Sequence, residues 1–229
     1  MLELSKRLSL IANFVNEGSS VCDVGTDHGY LPAFLSLSQK CKSVMATDIN
    51  QKPLECARAN LERLGCENVK LVLCDGLSLV TRADADTDII AGMGGEVISG
   101  IIDRAQFLRD SSVTLILQPT TAAKELRQYL AKNGFAVERE TAIEEKNKVY
   151  SVMLVRFADK EYHLSDIQGL IGILKPEDED SVKYIEKQYR IVSKCANQLK
   201  NVSHKQDEYK YYLKLSEELK NILGGKNGF

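Results

Sequence analysis

The chain has no run of 18 or more apolar residues. A bilayer-spanning helix needs about 20, so no membrane span is expected. It has no C-x-x-C pair; six cysteines (22, 41, 56, 66, 74 and 195) are dispersed, and His28, His163 and His204 are scattered. Structural zinc needs four soft ligands at close, paired spacing, so no metal site is expected. The thiols read as small buried hydrophobes in a reducing compartment. No secretory leader is expected either. Lys6 and Arg7 interrupt the N-terminal MLELSKRLSLIANFV, whereas a signal peptide needs an unbroken apolar core and a small-residue cleavage site. Leu4, Leu8, Ile11 and Val15 recur at helical spacing, so an amphipathic first helix and a cytoplasmic protein are expected. Nor is there a surplus of positive charge, since 30 Lys and Arg face 32 Asp and Glu, a net of −2. Any RNA-binding surface must therefore be local.

What is there suits a globular chain: 229 residues, 44% hydrophobic and 27% charged, room for one domain and a small appendage. The organising stretch is VCDVGTDHGYLP, from Val21 to Pro32. A short apolar run ends at Asp23, turns through Gly25 and Gly29, and enters a helix near Leu31. Glycine is needed where a Cβ would block a ligand or where φ must be positive. The spacing D-x-G-x-x-x-G differs from the G-x-G-x-x-G of dinucleotide sites, which seats a pyrophosphate at the helix start. Acidic residues among the glycines would repel a pyrophosphate and accept a cationic sulfur with an amino-acid tail. The expected ligand is S-adenosylmethionine (SAM).

Further along, apolar β-rich segments alternate with helical periods. Strands are expected at 20–24, 43–47, 69–74, 88–91 and 113–117, with a closing hairpin over 135–143 and 149–157. Pro53 favours the first turn of a helix that Gly65 stops; Thr121 is expected to cap another that Gly134 stops. This pattern predicts an α/β, Rossmann-like, mostly parallel sheet with an antiparallel last strand, whose ligands sit outside the carboxyl ends of the strands. Asp48, Asp75, a Gly92–Gly95 loop and Gln118 all fall at those ends. From about residue 159 the character changes, so domains of 1–158 and 159–229 are expected. The acidic run at 177–180 reads as a helix start or a solvated turn. Ile185, Tyr189, Val192, Ala196 and Leu199 form a 3/4-spaced seam, and Tyr209, Tyr212, Leu213, Leu219 and Ile222 a second. A break near 201–204 folds these into a helical hairpin, and the GGKNGF tail is expected to be disordered. From Ser181 to Lys214, eight basic residues, Lys187, Arg190 and Lys194 among them, face three acids.

The candidate cofactor residues follow from this frame: Asp23, Gly25, Thr26, Asp27, His28, Gly29, Asp48, Ile49, Asp75, Gly76, Gly92 and Met93. A carboxylate at Asp48 would accept hydrogen bonds from ribose hydroxyls, and Asp75 with Gly76 would meet the adenine amino group. Asp27, near the helix start, would lie beside the sulfonium or the amine. His28 is equally read as a structural hydrogen-bonder, Tyr30 as a packing residue and Met93 as packing.

VCDVGTDHGYLP, the AGMGGE of Ala91–Glu96 and the LILQPT of Leu115–Thr120 together resemble the bacterial TrmK family, tRNA adenine-22 N1-methyltransferases. The likeness runs from Arg7 to about Phe157. The family usually reads GSDHAYLP and LQPN where this chain has Thr26, Gly29 and Thr120, and Thr120 lacks the amide of the usual Asn. The resemblance implies a class I SAM-dependent methyltransferase with a coiled-coil-like tail, working on tRNA, expected as a monomer. It implies catalytic roles for Asp27, Tyr30 and Gln118, and substrate contacts at Gly94, Gly95 and Pro119. Lys187, Arg190 and Lys194 would grip phosphates. Two other readings stand beside it. One is a methyltransferase of small molecules or proteins with an interaction hairpin; the other is a non-enzymatic RNA-binding module.

Overall fold

The computed structural model describes residues 2–225. Seven strands form one sheet: β1 (Ser20–Val24), β2 (Ser43–Asp48), β3 (Val69–Leu73), β4 (Thr87–Gly94), β5 (Thr114–Thr121), β6 (Phe135–Glu145) and β7 (Lys148–Phe157). Their order is β3-β2-β1-β4-β5-β7-β6. The first five strands run parallel, while β7 is antiparallel to both β5 and β6. The helices are α1 (Lys6–Phe14), α2 (Tyr30–Leu37), α3 (Gln51–Arg63), α4 (Gly95–Arg104) and α5 (Ala123–Lys132).

Alternation along the strands sorts the core into two layers. Cys22, Ile90, Leu115 and Leu117 turn to one face, under Ile98 of α4 and Leu126 and Leu130 of α5. Val21, Ile89 and Ile116 turn to the other, under Ile11 and Phe14 of α1 and Leu31 and Leu35 of α2. With both faces covered, the parallel strands are buried and their carboxyl ends share one edge.

Several expectations change at that edge. The Gly92–Gly95 stretch is not a free loop. β4 continues to Gly94 beside β5, pairing Ala91 with Gln118, Met93 with Pro119 and Gly94 with Thr121. Gly92 is the residue the ladder skips, a bulge with φ +80°. Thr121 is likewise a strand residue; the position before α5 is Ala122, with φ +53° and no side-chain cap. Between β3 and β4 the alternation lapses, because residues 74–86 form turns rather than a helix.

Beyond β7 come α6 (Asp166–Ile171), α7 (Glu179–Leu199) and α8 (Gln206–Gly224). Asp178 in the acidic run accepts the Ser181 N–H and caps α7, a helix start. α7 and α8 pack through Ile185, Val192, Leu215 and Leu219, with Tyr189, Tyr212 and Ile222 around them. The seam of α8 is thus Tyr212, Leu215, Leu219 and Ile222. Leu213, expected in it, is 37% exposed, because a one-residue offset turns a side chain about 100° around a helix. Residues 226–229 of the tail expected to be disordered lie outside the described residues, while Gly224 ends α8.

One buried cation ties these helices to the sheet. Arg127 of α5 donates to Glu140 of β6 at 2.6 Å and to the Tyr184 hydroxyl of α7 at 3.1 Å. Its other terminal nitrogen donates to the Gly169 and Leu170 carbonyls of α6 at 2.9 and 3.2 Å. Glu140 accepts the Ile173 N–H with its second oxygen.

Candidate active site

The turn after β1 is built by backbone hydrogen bonds. Gly25 and Thr26 N–H groups both donate to the Thr47 carbonyl, at 2.8 and 3.0 Å, drawing the turn against β2. Gly25 has φ +79°, and a Cβ there would overlap the Met93 methyl group. Gly29 has φ +68°, and a Cβ would lie 3.0 Å from the Ala57 Cβ on α3. Asn60 of α3 donates its amide to the His28 carbonyl at 3.0 Å. The two glycines therefore answer a backbone and packing requirement that other residues meet only with strain.

Around this turn lies a cavity of about 310 Å³, lined by Arg7 and Leu8 of α1, residues 25–31, Asp23, Ala91 and Gly92. Asp23 is 7% exposed. Its carboxyl is pushed up to about 6, chiefly by burial; the Asp48 carboxylate adds to the shift and the Thr26 hydroxyl opposes it. Asp27 is at the mouth, with a side chain 76% exposed and 3.3 Å from His28 Nε2. The His28 and Tyr30 rings lie 5.7 Å apart.

Of the residues expected to hold cofactor, the cavity gathers Asp23, Gly25, Thr26, Asp27, His28, Gly29 and Gly92, with Tyr30 of the catalytic set. Asp48 stands beside them at the end of β2, one oxygen accepting the Asn50 N–H at 2.8 Å; Ile49 is 62% exposed. Asp75 is ion-paired with Arg104 of α4 at 3.2 Å. Gly76 turns under Ile101, its carbonyl accepting the Thr47 hydroxyl at 3.0 Å.

Three expected substrate-facing groups sit differently. Gln118 is fully buried; its oxygen accepts from Arg7 Nη1 at 2.6 Å and Gly92 N–H at 3.2 Å, and its nitrogen donates to the Pro119 carbonyl. Enclosed in this way it acts as a positioning residue for Gly92 and Arg7 and shows no face to a base. Gly95 opens α4 with a Cβ position that would overlap the Ala122 carbonyl, and Gly94 abuts Thr121. Both explain close packing of β4 and α4 against the β5–α5 turn. Pro119 and Lys187 line a second cleft of about 300 Å³, with Thr120, Tyr150 and Tyr184. Lys187 donates to the Val149 carbonyl at 3.2 Å, Arg190 pairs with Glu186 at 3.0 Å, and Lys194 is exposed.

Arg7 is the residue that motif reading missed. In the sequence it stands only as a break in an apolar run and as the point where the TrmK resemblance begins. A residue more than a hundred positions from Gln118 becomes its neighbour only when α1 packs across the sheet edge.

The geometry suits SAM. A desolvated carboxylate at Asp23 needs a cationic neighbour, the turn from Gly25 to Gly29 walls the cavity, and Asp48 at the end of β2 offers a carboxylate to hydroxyl donors. Residues 4–153 match the family model described as Methyltransferase domain. The crystal structure of the B. subtilis M1A22 tRNA methyltransferase TrmK superposes with a TM-score of 0.82 at 26% identity, over 97% of this chain and 100% of that one. M. capricolum TrmK in complex with S-adenosyl-homocysteine does so at 0.78 and 26% identity, over 96% and 99%. Fold and site define a class I SAM-dependent methyltransferase. The tRNA (adenine(22)-N(1))-methyltransferase of Bacillus subtilis (strain 168) is 32% identical over 174 residues, 76% of this chain and 73% of the relative. The chain belongs to that family, the TrmK tRNA (adenine(22)-N(1))-methyltransferases.

Proposed function

We propose that this protein methylates N1 of adenine 22 in tRNA, with residues 1–158 as the catalytic domain and 159–229 as a helical domain that helps hold the RNA. The observation that carries this reading is one of adjacency. The cavity around Gly25 and the cleft walled by Pro119, Thr120 and Lys187 sit along the carboxyl edge of the same sheet. A nucleoside cofactor fits the first, and an RNA strand leading to the target base fits the second.

When bound, SAM supplies a methyl group activated by its sulfonium. The chain's own task is to aim the base. N1 of neutral adenine carries an in-plane lone pair, so no proton has to be removed before attack, and the positive charge passes to the base as the N–C bond forms and the C–S bond breaks. Holding the flipped base edge-on in line with the methyl therefore supplies much of the rate. Tyr30, 38% exposed beside the turn, offers a stacking surface. Asp27 provides a carboxylate near the charge that develops. Gln118 fixes Gly92 from below.

Lys187, Arg190 and Lys194 step by three and four along α7 and so share a face opposite the seam to α8, and Lys187 at one end of it lines the cleft. They would meet RNA phosphates there. No helix among the described residues is long and apolar enough to cross a membrane, and no cluster of three metal-ligating side chains occurs among them. We propose a cytoplasmic monomer, which sedimentation would check. The functional test is incubation of purified protein with labelled SAM and unmodified tRNA transcripts, followed by mass-spectrometric mapping. N1-methyladenosine at position 22 is expected; bound SAM without RNA methylation would redirect the search to a small-molecule or protein substrate.

A further inference from the structure

We infer that the cleft between the β5–α5 turn and α7 is a second base pocket, in which Gln188 reads an unpaired nucleotide adjoining the target. This rests on the reading of the chain as a tRNA adenine-N1 methyltransferase. Tyr184, Lys187, Gln188 and Ile191 all line the cleft. Their spacing puts them on one stripe of α7, beside the seam residues Ile185 and Val192 that meet α8.

The stripe is chemically mixed. Tyr184 is 3% exposed, and its hydroxyl accepts from Arg127 at 3.1 Å. Lys187 donates to the Val149 carbonyl. Gln188 is half-buried, and its amide makes no hydrogen bond within the protein among the described residues. Ile191 is 49% exposed and stays outside the apolar seam that joins α7 to α8. A groove that followed only the RNA backbone would need cations. A half-buried amide and an exposed branched aliphatic do nothing for a phosphate. They match a base, which has an apolar face and an edge of donors and acceptors.

The facing wall completes the pocket. Pro119 and Lys124 lie on it, and Lys124 with Lys187 outnumbers the one acid in the lining, Glu125. The base's own phosphate therefore meets a positive surplus. The volume of about 300 Å³ lies at the low end for sites that enclose one small molecule. An amide presents a donor beside an acceptor, the pattern that pairs with N6 and N7 of adenine. Adenine is therefore the base expected there.

This pocket is distinct from the one that receives the target. Tyr150 lines the cleft and Arg7 lines the cofactor cavity, with the guanidinium carbon 5.9 Å from the centre of the Tyr150 ring. One pair of side chains thus joins the two recesses, and neighbouring nucleotides of one strand can reach both.

The test compares kcat/KM of the full chain with SAM on complete tRNA transcripts, intact or lacking one base at position 21 or 23. Sugar and phosphate are kept in each. Gln188→Ala should lower kcat/KM on intact tRNA by about 10-fold, chiefly through KM, the scale of one bidentate base contact. At one of the two positions, removing the base should cost wild type a similar factor. Gln188→Ala should lose less than about 2-fold more on that RNA, so the two losses do not add. Damage to the RNA fold weighs on both proteins alike and cancels in this cycle. Ile191→Ala, at the exposed end of the stripe, should show the same coupling and provides the cycle if Gln188→Ala does not fold. Affinity for S-adenosyl-homocysteine and the melting temperature should stay at wild-type values. Losses that multiply at both positions, or unchanged kcat/KM for Gln188→Ala, would overturn the assignment. A wild-type protein that methylates no intact tRNA would instead overturn the functional reading beneath it.

Discussion

The buried junction around Arg127 and the solvent face of α7 hold charge in opposite ways. Arg127 and Glu140 are 2% and 1% exposed; Arg127 donates to α6 and α7, and Glu140 accepts from the Ile173 N–H between them. Arg190 and Glu186 form an ordinary one-turn pair, 72% and 44% exposed. Removing one member of the first pair strands the other in a medium that cannot solvate it, whereas water replaces either member of the second. The junction therefore fixes α6 and α7 against the sheet. On α7, Arg190 and Lys194 are exposed and strand no buried charge when removed, whereas Lys187 also donates to the Val149 carbonyl of β7.

That contrast can be broken at its strongest point first. Arg127→Met should destabilise the fold by about 3–5 kcal/mol, lowering the melting temperature by roughly 6–20 °C, measured by calorimetry. The Arg127→Met, Glu140→Leu pair should recover much of the loss. A second buried charge gives a pH signature. Asp88, fully buried and without a hydrogen-bond partner among the described residues, has its carboxyl pushed up to about 7, first by burial and then by Asp86, with Arg82 opposing. The folded state therefore binds this proton more tightly than the unfolded chain, so stability is full below about pH 4 for this group and falls as pH rises to about 7. Asp23 acts in the same direction up to about 6. Urea midpoints at pH 5 and 8 should differ by less in Asp88→Asn than in wild type.

On the α7 face the effects should appear in binding rather than in folding. Charge reversal at Lys187, Arg190 and Lys194 together should raise KM for tRNA by 10-fold or more and flatten its salt dependence by roughly 0.9 in log–log slope per lost phosphate contact. Cofactor affinity should stay within about 2-fold, and the melting temperature within a few degrees. Gly29→Ala tests the turn itself. Its φ of +68° and the 3.0 Å approach to Ala57 predict a loss of about 1–2 kcal/mol, with weaker cofactor binding. The smallest effect belongs to Arg190→Ala alone, within about 0.5 kcal/mol in unfolding experiments.

Much of this architecture can be read from local patterns. The parallel strands, the glycine turn after Asp23, the carboxylates at strand ends and the helical hairpin each leave a short-range signature, because each depends on a 2-residue or 3.6-residue period or on a backbone angle that glycine allows. The misreadings share one origin. Gly92–Gly95 looks like a loop, yet β5 stands beside it and gives its backbone partners, so β4 runs on to Gly94. Gln118 looks like a ligand contact, yet Arg7 and Gly92 enclose it. Leu213 looks like a seam residue, yet the pairing of α7 with α8 selects Leu215.

Local sequence carries the α/β class, the carboxyl ends of the parallel strands as the ligand-facing edge, the nucleoside-type turn and the basic surplus of the last helices. Tertiary structure alone decided which distant groups meet: Arg7 with Gln118 across 111 positions, Arg127 with Tyr184 across 57, and the cleft that brings Lys187 to Pro119. Local signals reflect interactions among residues a few positions apart. A buried arginine's partners depend on how packed layers register, and no period in the chain encodes that.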